Sequence, residues 1–88
     1  MSYRVDFTET ADKQFQKLEK SAQRQIARYI DKNIDDSPNP RLYGKALKGE
    51  LRGLWRYEIG SFRLICHIQD DVCRVLAVKV GHRKDVYR

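Results

Sequence analysis

Residues 47–71 read LKGELRGLWRYEIGSFRLICHIQDD, and the alternation on either side of Gly60-Ser61 decides the architecture. Residues 51–59 and 62–69 carry the period-two pattern of half-buried strands. A glycine in the first of two loop positions suits a type II′ turn, whose twist matches that of the strands it joins. With a two-residue loop, Ile59 opposes Phe62, Tyr57 opposes Leu64 and Trp55 opposes Cys66, so one face is continuously apolar. The other face holds Leu54, Arg56, Glu58, Arg63, Ile65 and His67. On it Glu58 lies directly across from Arg63 as an oppositely charged cross-strand pair.

Toward the C-terminus, a turn at Asp70-Asp71 leads into a third strand at residues 72–80, in which Cys73, Val75 and Ala77 continue the apolar face. Leu76, Val78 and Val80 then join the mixed face. This register sets Lys79 opposite Phe62, an awkward place for a cation, and a one-residue slip reverses every facing in the strand. Gly81-His82-Arg83-Lys84-Asp85-Val86-Tyr87 follows at the strand exit.

Toward the N-terminus, residues 41–48 read as a connector anchored by Tyr43 and Leu47, with Lys45 and Lys48 pointing outward. Ser37-Pro38-Asn39-Pro40 stops the preceding helix, because each proline disfavours a helical residue before it and has no N–H to donate. Within that helix Ala22, Ile26, Tyr29, Ile30 and Ile34 form an apolar stripe, with Arg24, Arg28 and Lys32 outside it and Ser21 as N-cap. Ala11, Phe15 and Leu18 mark an earlier helix capped by Thr8, with Glu9 and Asp12 favourably placed in its first turn. Tyr3, Val5 and Phe7 alternate as a short opening strand. The expected fold is α+β in the order β-α-α-β-β-β, a two-helix hairpin on one face of a small, mainly antiparallel four-stranded sheet. The helices cover only one face, so Trp55, Tyr57, Phe62 and Leu64 pack on them and the arginine-bearing face stays open, with Leu54, Ile65, Leu76 and Val78 available for docking.

Eighty-eight residues suffice for one domain, residues 1–88, with one modest core. No apolar block is long enough for a membrane span or a signal peptide, so a cytoplasmic protein that engages no membrane is expected. Cys66 and Cys73 lie seven apart without CxxC spacing, which fits buried free thiols in a reducing compartment. Residues 1–40 hold seven Lys/Arg against seven Asp/Glu, whereas residues 41–88 hold eleven against five, so the whole net charge of +6 sits in one half. Such a surplus favours an anionic partner such as RNA, DNA or an acidic protein.

There is no glycine-rich phosphate loop, zinc-ligand cluster, HExxH or nucleophile elbow, and neither a metal nor a cofactor is expected. What remains is a basic groove. Arg63 and Arg83 can clamp a phosphate bidentately, and His82 and Tyr87 can move protons. Cleavage of RNA by its own 2′-hydroxyl needs that hydroxyl deprotonated, the leaving 5′-oxygen protonated and the charge on phosphorus stabilised. These residues supply such parts without a metal, and DNA lacks the nucleophile. Arg56, Lys45, Lys48, Arg52 and Lys84 are candidate RNA contacts. Each has a plainer counterpart: Arg63 as the partner of Glu58, Tyr87 as a packing anchor, His67 as a strand surface residue, the lysines as solvated charges.

The element order, the stretch at residues 47–71 and the closing VGHRKDVYR resemble the RelE/ParE superfamily of bacterial type II toxin–antitoxin toxins, the RelE-like branch in particular. The most specific parts are Leu54-Trp55-Arg56, Phe62-Arg63-Leu64-Ile65 after the Gly60 turn, and Gly81-His82-Arg83 with Val86-Tyr87. The resemblance implies a ribosome-dependent endoribonuclease that cleaves mRNA and is silenced by a cognate antitoxin, in a hetero-oligomer that binds operator DNA through the antitoxin. It also implies that Arg63 contacts phosphate, that Arg83 is a second transition-state arginine, that Tyr87 is the tyrosine near the C-terminus and that His82 sits where another branch places a catalytic histidine. Glu58 departs from the pattern, since related chains often carry arginine there. Two alternatives share the fold: a ParE-like inhibitor that binds DNA gyrase, and a non-toxic module that only binds an antitoxin.

Overall fold

In the computed structural model, which describes residues 1–86, the order is β1 (Arg4–Phe7), α1 (Glu9–Gln16), α2 (Lys20–Asn33), β2 (Lys45–Ala46), β3 (Trp55–Ile59), β4 (Phe62–Gln69) and β5 (Arg74–His82). These strands form one sheet in the order β1-β5-β4-β3-β2, antiparallel except for the parallel β1/β5 pair. The expected α+β architecture is present, with five strands where the sequence pattern shows four. The fifth, β2, lies in the expected connector, where Lys45 pairs with Arg56 and Ala46 with Trp55. Gly44 makes that approach possible: its φ is +85°, and a Cβ there would collide with the Arg56 carbonyl oxygen and lie 2.6 Å from Trp55 Nε1. The Trp55 indole N–H donates to the Tyr43 carbonyl at 2.8 Å and pins the segment. The strand expected from residue 51 begins only at Trp55, because Gly49–Leu51 forms a 3-10 turn and Gly53 has a φ of +93°.

Helix boundaries follow local chemistry. Thr8 caps α1, its Oγ1 accepting from the Ala11 N–H at 3.1 Å. Ser21 is not the cap of α2, since the helix starts one residue earlier with Glu19 as an N-cap that makes no side-chain bond. Gln23 closes the hairpin instead, its Nε2 donating to the carbonyls of Leu18 at 2.9 Å and Gln16 at 3.2 Å and so satisfying acceptors that the end of α1 leaves open. The Gly60 φ of +59° is what the first position of a type II′ turn requires, and the β3/β4 register is Ile59↔Phe62 through Trp55↔Cys66, as the alternation predicts.

The last strand is where the regular alternation fails. Its loop is longer than two residues: Asp70–Val72 forms a 3-10 turn, and Cys73 follows at φ +50°, outside the strand. Gln69↔Arg74 through Cys66↔Ala77 then pair in step, and the register shifts so that Lys79 faces Ile65 and Val80 faces Leu64. Val78 is the extra residue of this bulge. Val75 and Ala77 keep the apolar facing expected of them, while Val80 moves from the mixed face into the core and Lys79 escapes Phe62. Strict alternation thus misplaces two residues.

The core lies between the helices and this face. Ala11, Ile26, Ile30 and Ile34 pack with Tyr57, Ile59, Leu64, Cys66, Val75, Ala77 and Val80, with Phe7 and Phe15 in edge contact at its margin. Cys66 and Cys73 are free thiols, and burial pushes the Cys66 thiol up, away from reactive thiolate. The open edge of β1 is blunted by the segment after α2. Asp35 Oδ1 accepts from the Val5 N–H at 3.0 Å, and the Tyr3 N–H donates to Ser37 at 2.9 Å.

Asp70 ties the two ends of the domain together. Arg41 donates to both its oxygens at 2.9 Å, and the Tyr3 hydroxyl donates to Oδ1 at 2.5 Å. The Arg41 guanidinium, with help from Tyr3, holds the Asp70 carboxyl down at about 2. A depressed carboxylate pKa contributes stability that is present above the ordinary carboxylate range and is lost as pH falls through about 2. A carbon-detected NMR titration is therefore expected to find Asp70 still ionised at pH 3, and Arg41→Ala to return its midpoint toward the ordinary range.

Candidate functional site

The face without helices carries a charge cluster built by strand pairing. Arg56 and Glu58 are two apart on β3 and share a face, and cross-strand pairing adds Arg63 opposite Glu58 and Lys45 opposite Arg56. Glu58 Oε1 lies 3.0 Å from Arg63 Nη2 and 3.6 Å from Arg56 Nε. Both arginine side chains are 22% exposed and Glu58 is 54% exposed, so the guanidinium stems are packed while the carboxylate faces solvent. Tyr29, Tyr43 and Gly44 join Lys45, Arg56 and Glu58 around a hollow of about 200 Å³. Such a cluster can bind an anion, because guanidinium groups stay charged and offer several donors in fixed geometry.

Gly81 stands directly opposite Arg63 on β5, and a Cβ there would meet nothing within 4 Å. The missing side chain leaves room beside the Arg63 guanidinium. Arg83 is exposed just past the strand, its backbone N–H donating to Ser61 at 2.9 Å, which places it at the Gly60-Ser61 end of the sheet where Glu58 and Arg63 also lie. Lys84 is exposed in the same closing turn, in which the Asp85 and Val86 N–H groups donate to His82.

His82 is not brought together with these groups. It pairs with Phe62, cross-strand partners share a face, and the two rings lie 4.9 Å apart, so the imidazole is on the side of Phe62 and away from that of Arg63. Lys48 and Arg52 flank the 3-10 turn beyond the Trp55 end of β3, exposed and remote from Arg63. Tyr87 lies outside the described residues. The apolar docking surface expected on this face is reduced: Ile65 is 1% exposed, Val86 is buried from the closing turn, and Leu54, Leu76 and Val78 are half-buried. Among the described residues no three His, Cys, Asp or Glu gather to hold a metal, and no helix is long and apolar enough to cross a membrane.

A second basic feature does not show in the charge balance of the sequence. Arg24, Arg28 and Lys32 line a groove of about 570 Å³ whose other wall includes Glu58 and Gly60. The first forty residues balance to zero charge, so composition hides the stripe, although its spacing of four puts all three cations on one side of α2.

Residues 5–87 match the profile of the family described as ParE toxin of type II toxin-antitoxin system, parDE. The toxin RelG of Mycobacterium tuberculosis is 36% identical over 89 residues, spanning 100% of this chain and 99% of the relative. A RelE-like toxin protein of Escherichia coli is 34% identical over 91 residues, spanning 99% of this chain and 92% of the relative. Among solved structures, the RelBE2 toxin-antitoxin complex of M. tuberculosis superposes with a TM-score of 0.84 at 29% identity, over 97% of this chain and 95% of that one. A mutant of E. coli toxin RelE in the free state superposes with a TM-score of 0.75 at 25% identity, over 93% and 84%.

Proposed function

Because this chain belongs to the RelE/ParE superfamily of type II toxin–antitoxin toxins, we propose that it is a ribosome-dependent endoribonuclease that cleaves mRNA and thereby stops translation. The observation that carries this reading is the convergence of Arg56 and Arg63 on one side of an open sheet face, beside the empty position at Gly81. Two guanidinium groups and Lys45 match the charge of an RNA backbone, and no metal is called upon. Arg63 holds the scissile phosphate, Arg83 stabilises charge as it builds in the transition state, and Tyr87 delivers or receives a proton. Lys48, Arg52 and Lys84 contact more distant phosphates. His82 stands at the margin, its ring kept in place by Phe62. The ribosome orders the mRNA against this face, which accounts for a site without a closed pocket of its own. The silencing partner is a cognate antitoxin, since relatives of this chain are solved as toxin-antitoxin complexes, and the resulting hetero-oligomer binds operator DNA through the antitoxin. The compartment is the cytoplasm, where ribosomes are found.

Primer extension on ribosome-bound mRNA tests the reading directly: discrete cuts that depend on ribosomes are expected, and their absence at saturating protein would sink it. The profile match to ParE toxins favours a second reading, binding to DNA gyrase, and a supercoiling assay run beside the first separates the two. Gly81→Phe is a further check. The position has open space and an unstrained backbone, so the variant is expected to fold with little loss of stability while its ring covers Arg63 and lowers cleavage at least tenfold.

A further inference from the structure

Cleavage by a neighbouring 2′-hydroxyl requires a group that takes its proton, and the arginines, which are donors only, cannot do so. His82 faces the wrong side of the sheet. Asp6 shares the open face but stands on the far edge strand β1, where Arg74 Nη1 lies 3.8 Å from it. Glu58 is the carboxylate inside the cluster, 3.0 Å from Arg63 Nη2 and 3.6 Å from Arg56 Nε, and more than half exposed to an incoming substrate.

We propose that Glu58 is the general base of the reaction, an assignment that rests on the nuclease reading above. A phosphate held by Arg63 brings the 2′-oxygen of the preceding ribose to within reacting distance of phosphorus, about 3–3.5 Å. The carboxylate that shares the same guanidinium is then within hydrogen-bond reach of that hydroxyl. As the 2′-oxygen attacks, its proton passes to Glu58, the O2′–P bond forms and the P–O5′ bond breaks. The leaving 5′-oxygen takes a proton from water, giving a 2′,3′-cyclic phosphate and a free 5′-hydroxyl. Glu58 returns its proton to solvent. The ion pair with Arg63 thus holds the base in position before the substrate arrives, and the same guanidinium then serves both partners.

The competing role is that of a counter-ion that merely occupies the arginines, and Glu58→Gln distinguishes the two. Single-turnover cleavage of a defined mRNA on 70S ribosomes is measured together with binding to the same complex carrying a 2′-deoxy nucleotide at the cut site. The base assignment predicts that Glu58→Gln cuts about 10²–10⁴-fold more slowly with binding unchanged or tighter, and that Glu58→Asp recovers part of the rate. Equal or faster cutting by Glu58→Gln would overturn it in favour of the counter-ion. A parallel loss of binding and cutting would also overturn it, by showing that Glu58 only orders Arg56 and Arg63. If the wild-type protein fails to cut, the nuclease reading falls and the base assignment falls with it, a result distinct from an active wild type beside an equally active variant.

Discussion

Arg63→Ala is expected to lower mRNA cleavage on the ribosome by about 10²–10³-fold, the usual loss when one donor to a developing oxyanion is removed. The variant should remain folded. The side chain is 22% exposed and its partner Glu58 is 54% exposed, so the ion pair is largely solvated and its net contribution to stability is small. Arg63→Lys keeps the charge but cannot offer two parallel donors, and an intermediate rate is expected. Single-turnover kinetics with a thermal melt on the same samples checks both halves of the statement. If Arg63→Ala and Arg83→Ala both cut at the wild-type rate, phosphate clamping by these arginines is wrong.

The second large effect belongs to the scaffold. Tyr57 is fully buried, its ring meets Tyr29 edge-on at 6.3 Å, and its hydroxyl donates to the Pro40 carbonyl at 2.5 Å. Tyr57→Ala removes an aromatic ring from the core, at a cost of about 3–5 kcal/mol. It also leaves the Pro40 carbonyl without its donor, a further cost of about 1–3 kcal/mol if that acceptor stays dry. A domain of this size has roughly 5–15 kcal/mol in all, so the variant is expected to be largely unfolded at physiological temperature. Tyr57→Phe isolates the hydroxyl and should lower the melting midpoint by only about 4–8 °C per kcal/mol lost. Urea denaturation followed by circular dichroism measures both. The site depends on the same residue, because Tyr57 separates Arg56 from Glu58 on β3 and its inward facing turns both of them outward.

The charge cluster is legible in the sequence because it sits on the hairpin around Gly60-Ser61. A two-residue turn leaves little freedom, so once Ile59 is set against Phe62, Glu58 must meet Arg63. Thr8 as a cap and the proline stop after residue 37 are readable for a similar reason, since each acts on backbone groups within a few residues. His82 is not legible in this way. Its glycine-led position suggests an active-site exit, but its facing depends on a count carried along the whole of β5. The basic stripe of α2 is hidden for another reason, as acidic residues elsewhere in the same half cancel it in the sum.

What separates the two classes is the range of the interaction that sets each feature. Periodicity, capping and turn chemistry are written in neighbouring residues, and they specify two helices, the central hairpin, the apolar face and the Glu58–Arg63 pair. The bulge at Val78, the pairing of Lys45 with Arg56, the removal of His82 from the arginine face and the approach of α2 to Glu58 all arise between segments distant along the chain. In a sheet, one residue more or less exchanges the two faces, so only the packed core, by demanding Val80 inward and Lys79 outward, selects the register that leaves Arg63 beside an empty Gly81.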